Sequence, residues 1–346
     1  MLEENFRAQI YEKAVQIELD LLDRKILYLL SVNARFSNVT IAKALKTSRE
    51  VVAYRIKKMQ ASSFLHGFLT HINPRKLGFN EYIIYLKLRT LSNEKEMIES
   101  LLTVKELTGL KTCSGKYDLQ IIFSTKTLEE LDILIKRFFN QYNDIIQDYV
   151  ILTVVDMGFL GIRLLVDDES VNELDKVKEI KGSSFFKELE KYKNNSDIVS
   201  LDEVDKKILK NIEMNARISL IELSKSVDLS PLSVKNRFKN LINKGVIKGF
   251  VPYFAMVNIG YQWYEIFLRF QNLNETKFIE YIKRNKYLLW QVKFIGQLDY
   301  QVSVFAKNHA HFHDILNELR NEFSENLISY DSVIVFNQFL FKPRID

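Results

Sequence analysis

Apolar residues recur at helical spacing near the start of the chain, where Leu22, Ile26, Leu29 and Leu30 share one stripe. The stripe returns 182 positions later as Val204, Ile208 and Ile212. A short helix is predicted after each. It starts at Ser37 or Ser219, both good N-caps, and Ser219-Leu-Ile-Glu222 reads as a capping box. Val39, Ile41, Ala42 and Leu45 are expected on its buried side. A third helix starts at Ser48 or Ser230, with Pro231 in the favoured first helical position. Its inward residues are Val52, Ile56 and Met59 in one place and Val234, Phe238 and Leu241 in the other. A strand follows each trio, Phe64–Ile72 and Val246–Phe254, and Pro252 implies an edge or strand-end position.

Period-two and helical stretches then alternate. In the first half the pattern predicts a strand Tyr82–Arg89, a helix capped at Asn93, and a strand near Leu110–Thr112. A turn Gly115-Lys-Tyr-Asp118, a strand Leu119–Ser124, a helix opened by a capping box Thr127-Leu-Glu-Glu130, and a strand Ile145–Val155 complete it. The second half predicts strand 264–270, helix 276–284, strand 290–295, turn Gly296-Gln-Leu-Asp299, strand 300–306, helix 309–323 and strand 328–336. This order is α+β with antiparallel hairpins. Residues 156–200, with Asp167-Asp-Glu and Lys191-Tyr-Lys-Asn-Asn-Ser196, have a linker-like composition, and Phe185, Phe186 and Leu189 suggest a short docking helix within them.

The repetition is close. Residues 19–68 and 201–250 align without a gap and share 17 of 50 positions. A unit this long is a domain rather than a solenoid repeat. The expected divisions are an extension 1–18, a first helical domain 19–64, and a strand with its α+β domain 65–155. After the linker come a second helical domain 201–246 and a second α+β domain 247–346.

The chain has 346 residues and a net charge of +5, but residues 19–68 carry nine Lys/Arg against three Asp/Glu, and 201–250 carry ten against six. Basic charge concentrated in a repeated unit is the footprint of phosphate binding. No apolar run is long enough to span a bilayer. One cysteine, Cys113, and an N-terminus without an export signal suggest a cytoplasmic protein.

A short helix, a tight turn and a capped basic helix make a helix-turn-helix, whose last helix enters the major groove of double-stranded DNA. Candidate contacts are Ser48, Arg49, Tyr54, Arg55, Lys57 and Lys58 in the first copy. In the second they are Ser230, Ser233, Lys235, Asn236, Arg237 and Lys239. Lysine reads guanine acceptors, asparagine pairs bidentately with adenine, and the helix amides can meet a phosphate. A merely solvated basic face is the plainer reading of the same residues.

Leu-Asp-x-x-Asp-x-x-Ile-Leu, Asn-Ala-Arg-x-Ser, Ser-x-x-x-Val-x-x-Arg and Gly-Phe occur in both copies. With Asn73-Pro74-Arg-Lys-Leu77-Gly78 they resemble the Lrp/AsnC family of feast/famine transcription regulators. The resemblance implies winged-type helix-turn-helix domains, each followed by a ferredoxin-like βαββαβ effector (RAM) domain. It departs from the usual architecture, because family members normally carry one unit per chain and pair as dimers. A pseudo-dimer within one chain is therefore expected, its linker strands paired and its effector modules packed sheet to sheet. The resemblance also implies a small-molecule effector such as an amino acid, and assembly into homo-oligomers. It places the effector near Gly115, Asp118, Gly296 and Asp299, residues that hairpin geometry explains equally well.

No resident cofactor or metal is expected. His309-Ala-His311-Phe-His313 puts only 309 and 313 on one helix face. Nucleophile elbows, Walker loops and Rossmann glycines are absent, so an enzyme is not expected. The alternative on the same scaffold is siroheme decarboxylase of haem biosynthesis, whose signature has a histidine-arginine pair before Leu-Gly-Phe. Here Pro74 stands at the histidine's place, ahead of Arg75-Lys76-Leu77-Gly78-Phe79. A scaffold whose helix-turn-helix units bind protein is a third possibility.

Overall fold

In the computed structural model, which describes residues 16–177, 180 and 197–346, three helices open the first half: α1 (Leu21–Val32), α2 (Asn38–Ala44) and α3 (Arg49–Ala61). Strand β1 (Leu65–Ile72) leads to a βαββαβ module. Its elements are β2 (Asn80–Leu88), α4 (Glu94–Leu101), β3 (Leu107–Gly115), β4 (Leu119–Thr125), α5 (Leu128–Tyr142) and β5 (Ile146–Phe159). Helix α6 (Asp168–Lys176) follows. The second half repeats the order with α7 (Glu203–Ile212), α8 (Leu220–Ser226), α9 (Pro231–Asn243) and β6 (Ile247–Phe254). Then come β7 (Gln262–Phe270), α10 (Glu275–Arg284), β8 (Leu288–Ile295), β9 (Tyr300–Ala306), α11 (His309–Glu322) and β10 (Leu327–Phe341). The chain is α+β, with two helix-turn-helix domains and two ferredoxin-like modules in tandem.

Strands β1 and β6 pair antiparallel as a two-stranded sheet, with Pro252 opposite Phe68. Each strand of such a ribbon has an open edge, so proline's missing donor is tolerated. The modules have sheet orders β3-β4-β2-β5 and β8-β9-β7-β10, and they join at both edges, β5 to β8 and β10 to β3, into a closed barrel. Sheet-to-sheet packing is therefore completed by hydrogen bonding along both seams, which leaves no open edge. Inside lie Ile83, Tyr85, Val154, Phe267 and Phe294 from both modules. A separate core runs through both helical domains and the β1–β6 ribbon.

Several local expectations need correcting. Val39 is 44% exposed, because it occupies the solvent face of a helix only seven residues long. Asn93 precedes α4 without a side-chain cap bond. Thr127 does accept the amide of Glu130, but the Glu130 carboxylate reaches Lys126 N rather than closing a capping box. The 156–200 segment is not linker throughout: β5 runs on to Phe159, and Asp167 caps α6 by accepting Ser170 N at 2.7 Å. Ile162, Val171 and Leu174 are buried there, and Tyr28 OH donates to Asp175 Oδ1 at 3.0 Å. An apolar face hidden among acidic residues thus docks on α1. Phe185, Phe186, Leu189, Lys191–Ser196 and most of the 1–18 extension lie outside the described residues.

Candidate nucleic-acid interface

Helix α3 begins where Ser48 Oγ accepts Val51 N at 3.2 Å, and α9 where Ser230 Oγ accepts Ser233 N at 3.2 Å. Their inner faces are those expected: Val52, Ile56 and Met59 are buried, as are Val234, Phe238 and Leu241. Outward stand Arg49, Tyr54, Lys57 and Lys58 on α3, with Tyr54 66% exposed. On α9 the outward residues are Leu232, Ser233, Lys235, Asn236 and Lys239. Each half therefore presents a basic, hydrogen-bonding ridge beginning at a serine-capped, solvent-exposed helix start.

Arg55 and Arg237, grouped with those residues from sequence, are placed differently. Arg55 Nη1 bonds both Asp20 and Asp23, the latter at 3.1 Å. Arg237 Nη1 repeats this with Asp202 at 2.7 Å and Asp205 at 2.8 Å. Asp20 and Asp202 also cap α1 and α7, so each arginine ties the recognition helix to the start of the first helix. The capping amides of Asp23 and Asp205, then the arginines, hold the Asp20 and Asp202 carboxyls below their ordinary range. These arginines are a brace rather than open groove contacts. The Leu-Asp-x-x-Asp pattern and the arginine of Ser-x-x-x-Val-x-x-Arg are two ends of one interaction, a pairing invisible along the sequence.

The Asn-Ala-Arg pattern has a second role that sequence reasoning missed. Arg217 Nη1 donates to Ala34 O at 2.6 Å and Phe36 O at 2.9 Å, and its Nη2 donates to Asn38 Oδ1 at 2.9 Å. Arg35 Nη1 crosses the other way to Ala216 O at 2.5 Å. Arg35 also lies over the rings of Phe238 and Phe250, and Arg217 over that of Phe68. Burial pulls both guanidinium pKa values down from the usual arginine value. Backbone bonds follow the same exchange: Ala34 N donates to Phe250 O at 3.0 Å and Ala216 N to Phe68 O at 2.8 Å. The two helical domains are clasped reciprocally through equivalent residues.

The two Gly-x-x-Asp turns lie at the barrel seams. Asp118 Oδ2 accepts Leu88 N at 2.8 Å and Oδ1 accepts Lys87 Nζ at 3.0 Å; Asp299 Oδ2 accepts Phe270 N at 2.7 Å. A Cβ on Gly115 would stand 2.9 Å from Ser332 O, and one on Gly296 2.8 Å from Leu152 Cδ2. Their φ values of +131° and +143° also favour glycine. The three α11 histidines point apart: His309 approaches Tyr264 OH, His311 Nδ1 accepts Lys307 N, and His313 pairs with Asn317. Among the described residues no helix is long and apolar enough to cross a membrane.

Residues 19–60 match the AsnC-type helix-turn-helix domain, and residues 201–248 match a winged helix-turn-helix DNA-binding domain. An uncharacterised HTH-type transcriptional regulator of Pyrococcus furiosus is 31% identical over 121 residues, which is 35% of this chain and 81% of that protein. The HTH-type transcriptional regulator Ptr1 of Methanocaldococcus jannaschii is 34% identical over 113 residues, 33% of this chain and 76% of the relative. Each relative thus has the length of roughly one of the two repeats. Over nearly the whole chain the fold is similar to the siroheme decarboxylase NirDL, with a TM-score of 0.59, 12% identity and 93% of both chains covered. That identity speaks for the fold alone. With an AsnC-type domain matched in the first half, a winged helix-turn-helix DNA-binding domain in the second, and regulators of about one repeat's length aligned over most of that length, this chain belongs to the Lrp/AsnC family of helix-turn-helix DNA-binding transcription regulators.

Proposed function

We propose that the chain acts as a pseudo-dimer, reading one face of a duplex with α3 and α9 together. The observation that supports it best is the Arg35/Arg217 exchange, which clasps the helical domains by equivalent contacts, as a symmetric dimer's operator reader would be. Arg49, Tyr54, Lys57 and Lys58 read one half-site, and Ser233, Lys235, Asn236 and Lys239 the other. Ser48 and Ser230 set the phosphate-facing ends. Because the two sets differ, the operator is an imperfect palindrome, with half-sites one helical turn (~34 Å) or a multiple apart. A small molecule modulates binding, and further copies of the chain associate on longer sites.

Selection of bound duplexes from a random pool, followed by footprinting, tests this reading. Two unequal half-sites protected by one chain are expected; a perfect palindrome bound by two chains would overturn it. The decarboxylase reading gains only a shared fold, and Pro74 occupies the place of that enzyme's signature histidine. We therefore propose a regulator without catalysis, and carbon dioxide release from siroheme by the purified protein would reverse that choice.

A further inference from the structure

Between the β1–β6 ribbon and the barrel lies a cavity of about 540 Å³. That is well inside the range of pockets that hold drug-sized organic ligands. Its walls come from three bodies: the linker ribbon, the end of α7 and the residues after it (Glu213 and Met214), and the barrel with α10. The repeat supplies an internal comparison, because the space between the barrel and the other end of the ribbon, lined by Val251–Val257 and Trp263, is only about 110 Å³. The difference has identifiable causes. Where the first half has His71, Arg75 and Glu81, the second has Tyr253, Val257 and Trp263. Aromatic and aliphatic residues fill one space, while polar and charged ones line the other.

Two polar groups in the open wall lack partners among the described residues. Glu81 is part-buried, its carboxylate has no hydrogen bond or ion pair among the described residues, and desolvation pushes its pKa up to about 7 against the nearby charges of Lys248 and Arg75. Gln291 is 6% exposed; its Nε2 donates to Asp156 Oδ2 at 2.9 Å, but its Oε1 is buried without a donor. Buried polar atoms are normally satisfied by protein, water or ligand. The lining carries six Lys/Arg against four Asp/Glu, an excess of positive charge. Much of the remaining wall is apolar, including Trp290, Ile279 and Val154.

We propose that this cavity is the effector site, and that it takes a single mid-sized organic anion with an apolar or aromatic body. This rests on the regulator reading above and names the site through which regulation acts. A ligand there touches the ribbon, the second helical domain and the barrel at once, so occupancy biases how the recognition helices are held. The cavity replaces the two Gly-x-x-Asp turns as the place to look, since their carboxylates are already committed to backbone amides.

The probe is 8-anilinonaphthalene-1-sulfonate, an anion with two aryl groups, titrated into the full chain and followed by its own fluorescence and by quenching of Trp290 and Trp263. One saturable site per chain is expected. E81W, which installs the residue of the closed side, should weaken binding at least tenfold while melting no lower than the parent. If E81W fails to fold, Q291L serves instead, with the same tenfold expectation. The probe should also shift operator affinity in a mobility-shift titration. Equal binding by parent and variant, or no saturable site, would overturn the cavity assignment. Saturable binding with no change in operator affinity would overturn the effector role. K57E/K239E separates the two levels: it should lose the operator yet keep the probe site, so failure of DNA binding alone leaves the cavity proposal standing.

Discussion

Replacing Arg217 with methionine keeps much of the side-chain volume and removes only the guanidinium. Three hydrogen bonds vanish, two of them to the carbonyls of Ala34 and Phe36 in the other helical domain. A hydrogen bond to a charged group contributes about 1.5–3 kcal/mol net, and a buried acceptor left unmatched costs about 1–3 kcal/mol. The contact over the Phe68 ring adds about 0.5–2 kcal/mol. These terms overlap, and removing the guanidinium also relieves the burial of a charge. A net loss of about 3–5 kcal/mol follows, the scale on which removing one partner of a buried charged group is felt. R35M removes one such bond and two ring contacts, and should cost about 2–4 kcal/mol. The assay is urea unfolding followed by far-ultraviolet circular dichroism, paired with footprinting on the selected operator. R217M should unfold at lower urea and protect the half-sites independently, with the weaker one lost first. If R217M unfolds with the parent and protects both half-sites together, the clasp is not what couples the two domains.

K57E/K239E should weaken operator binding at least a hundredfold and leave the melting temperature within a few degrees, because both side chains are exposed and outside the core. The parent's affinity should fall with salt at a log–log slope of about −5 to −9, given ~6–10 neutralised phosphates; a flat response in a filter-binding series would count against phosphate contacts. D20N/D202N keeps the helix caps but loses the carboxylate side of the Arg55 and Arg237 braces. Folded-state pKa values below the ordinary 3.8 give stability that is present above 3.8 and lost as pH falls through the lowered values. The variant should therefore be less stable at pH 7, by about 1 kcal/mol or less per exposed site, and converge on the parent near pH 2 in acid titrations. G115A should cost about 1–3 kcal/mol in thermal melts, and more than G296A. The obstacle at Gly115 is a backbone carbonyl, whereas at Gly296 it is the end of the Leu152 side chain.

Element order was legible because it rests on local signals. Ser37, Ser48, Ser219 and Ser230 all cap where their spacing to the apolar stripe says they should, and Pro231 takes the first turn of α9. The outward ridge was legible for the same reason, since helical period alone separates Lys57 from Ile56. What escaped was long-range pairing. Arg55 looks like its neighbour Lys57 along the chain, and only the approach of α1 to α3 brings Asp20 and Asp23 to it. Helix α6 was concealed by acidic residues that raise its polarity without interrupting the buried stripe Val171–Leu174. The cavity has no sequence signature at all. It arises from substitutions that matter only when the two repeats are superposed, such as Glu81 against Trp263.

Fusion of the two repeats changes what the barrel interior can contain. In a dimer of identical chains, any residue near the two-fold axis meets its own copy, so a buried carboxylate there confronts another carboxylate. Here equivalent positions do meet: Tyr85 lies edge-on to Phe267 at 4.8 Å, and Gln120 Nε2 donates to Gln301 Oε1 at 3.1 Å. The surrounding charges, however, are one-sided. Glu265 accepts Lys111 Nζ at 3.0 Å, Gln301 Nε2 at 2.5 Å and Ser303 Oγ at 2.9 Å. The places equivalent to Glu265 and Lys111 hold Ile83 and Val292. A buried ion pair of this kind is weak evidence for stability, because desolvation offsets attraction. Its one-sidedness is the informative part, since two identical chains could not place a single Glu265 opposite a single Lys111. The same freedom allows one cavity to stay open while its twin closes, and lets Lys57 and Lys239 sit among different neighbours. Under the proposed pseudo-dimer reading, an operator with unequal half-sites would be the DNA counterpart of an interior that has already abandoned two-fold symmetry.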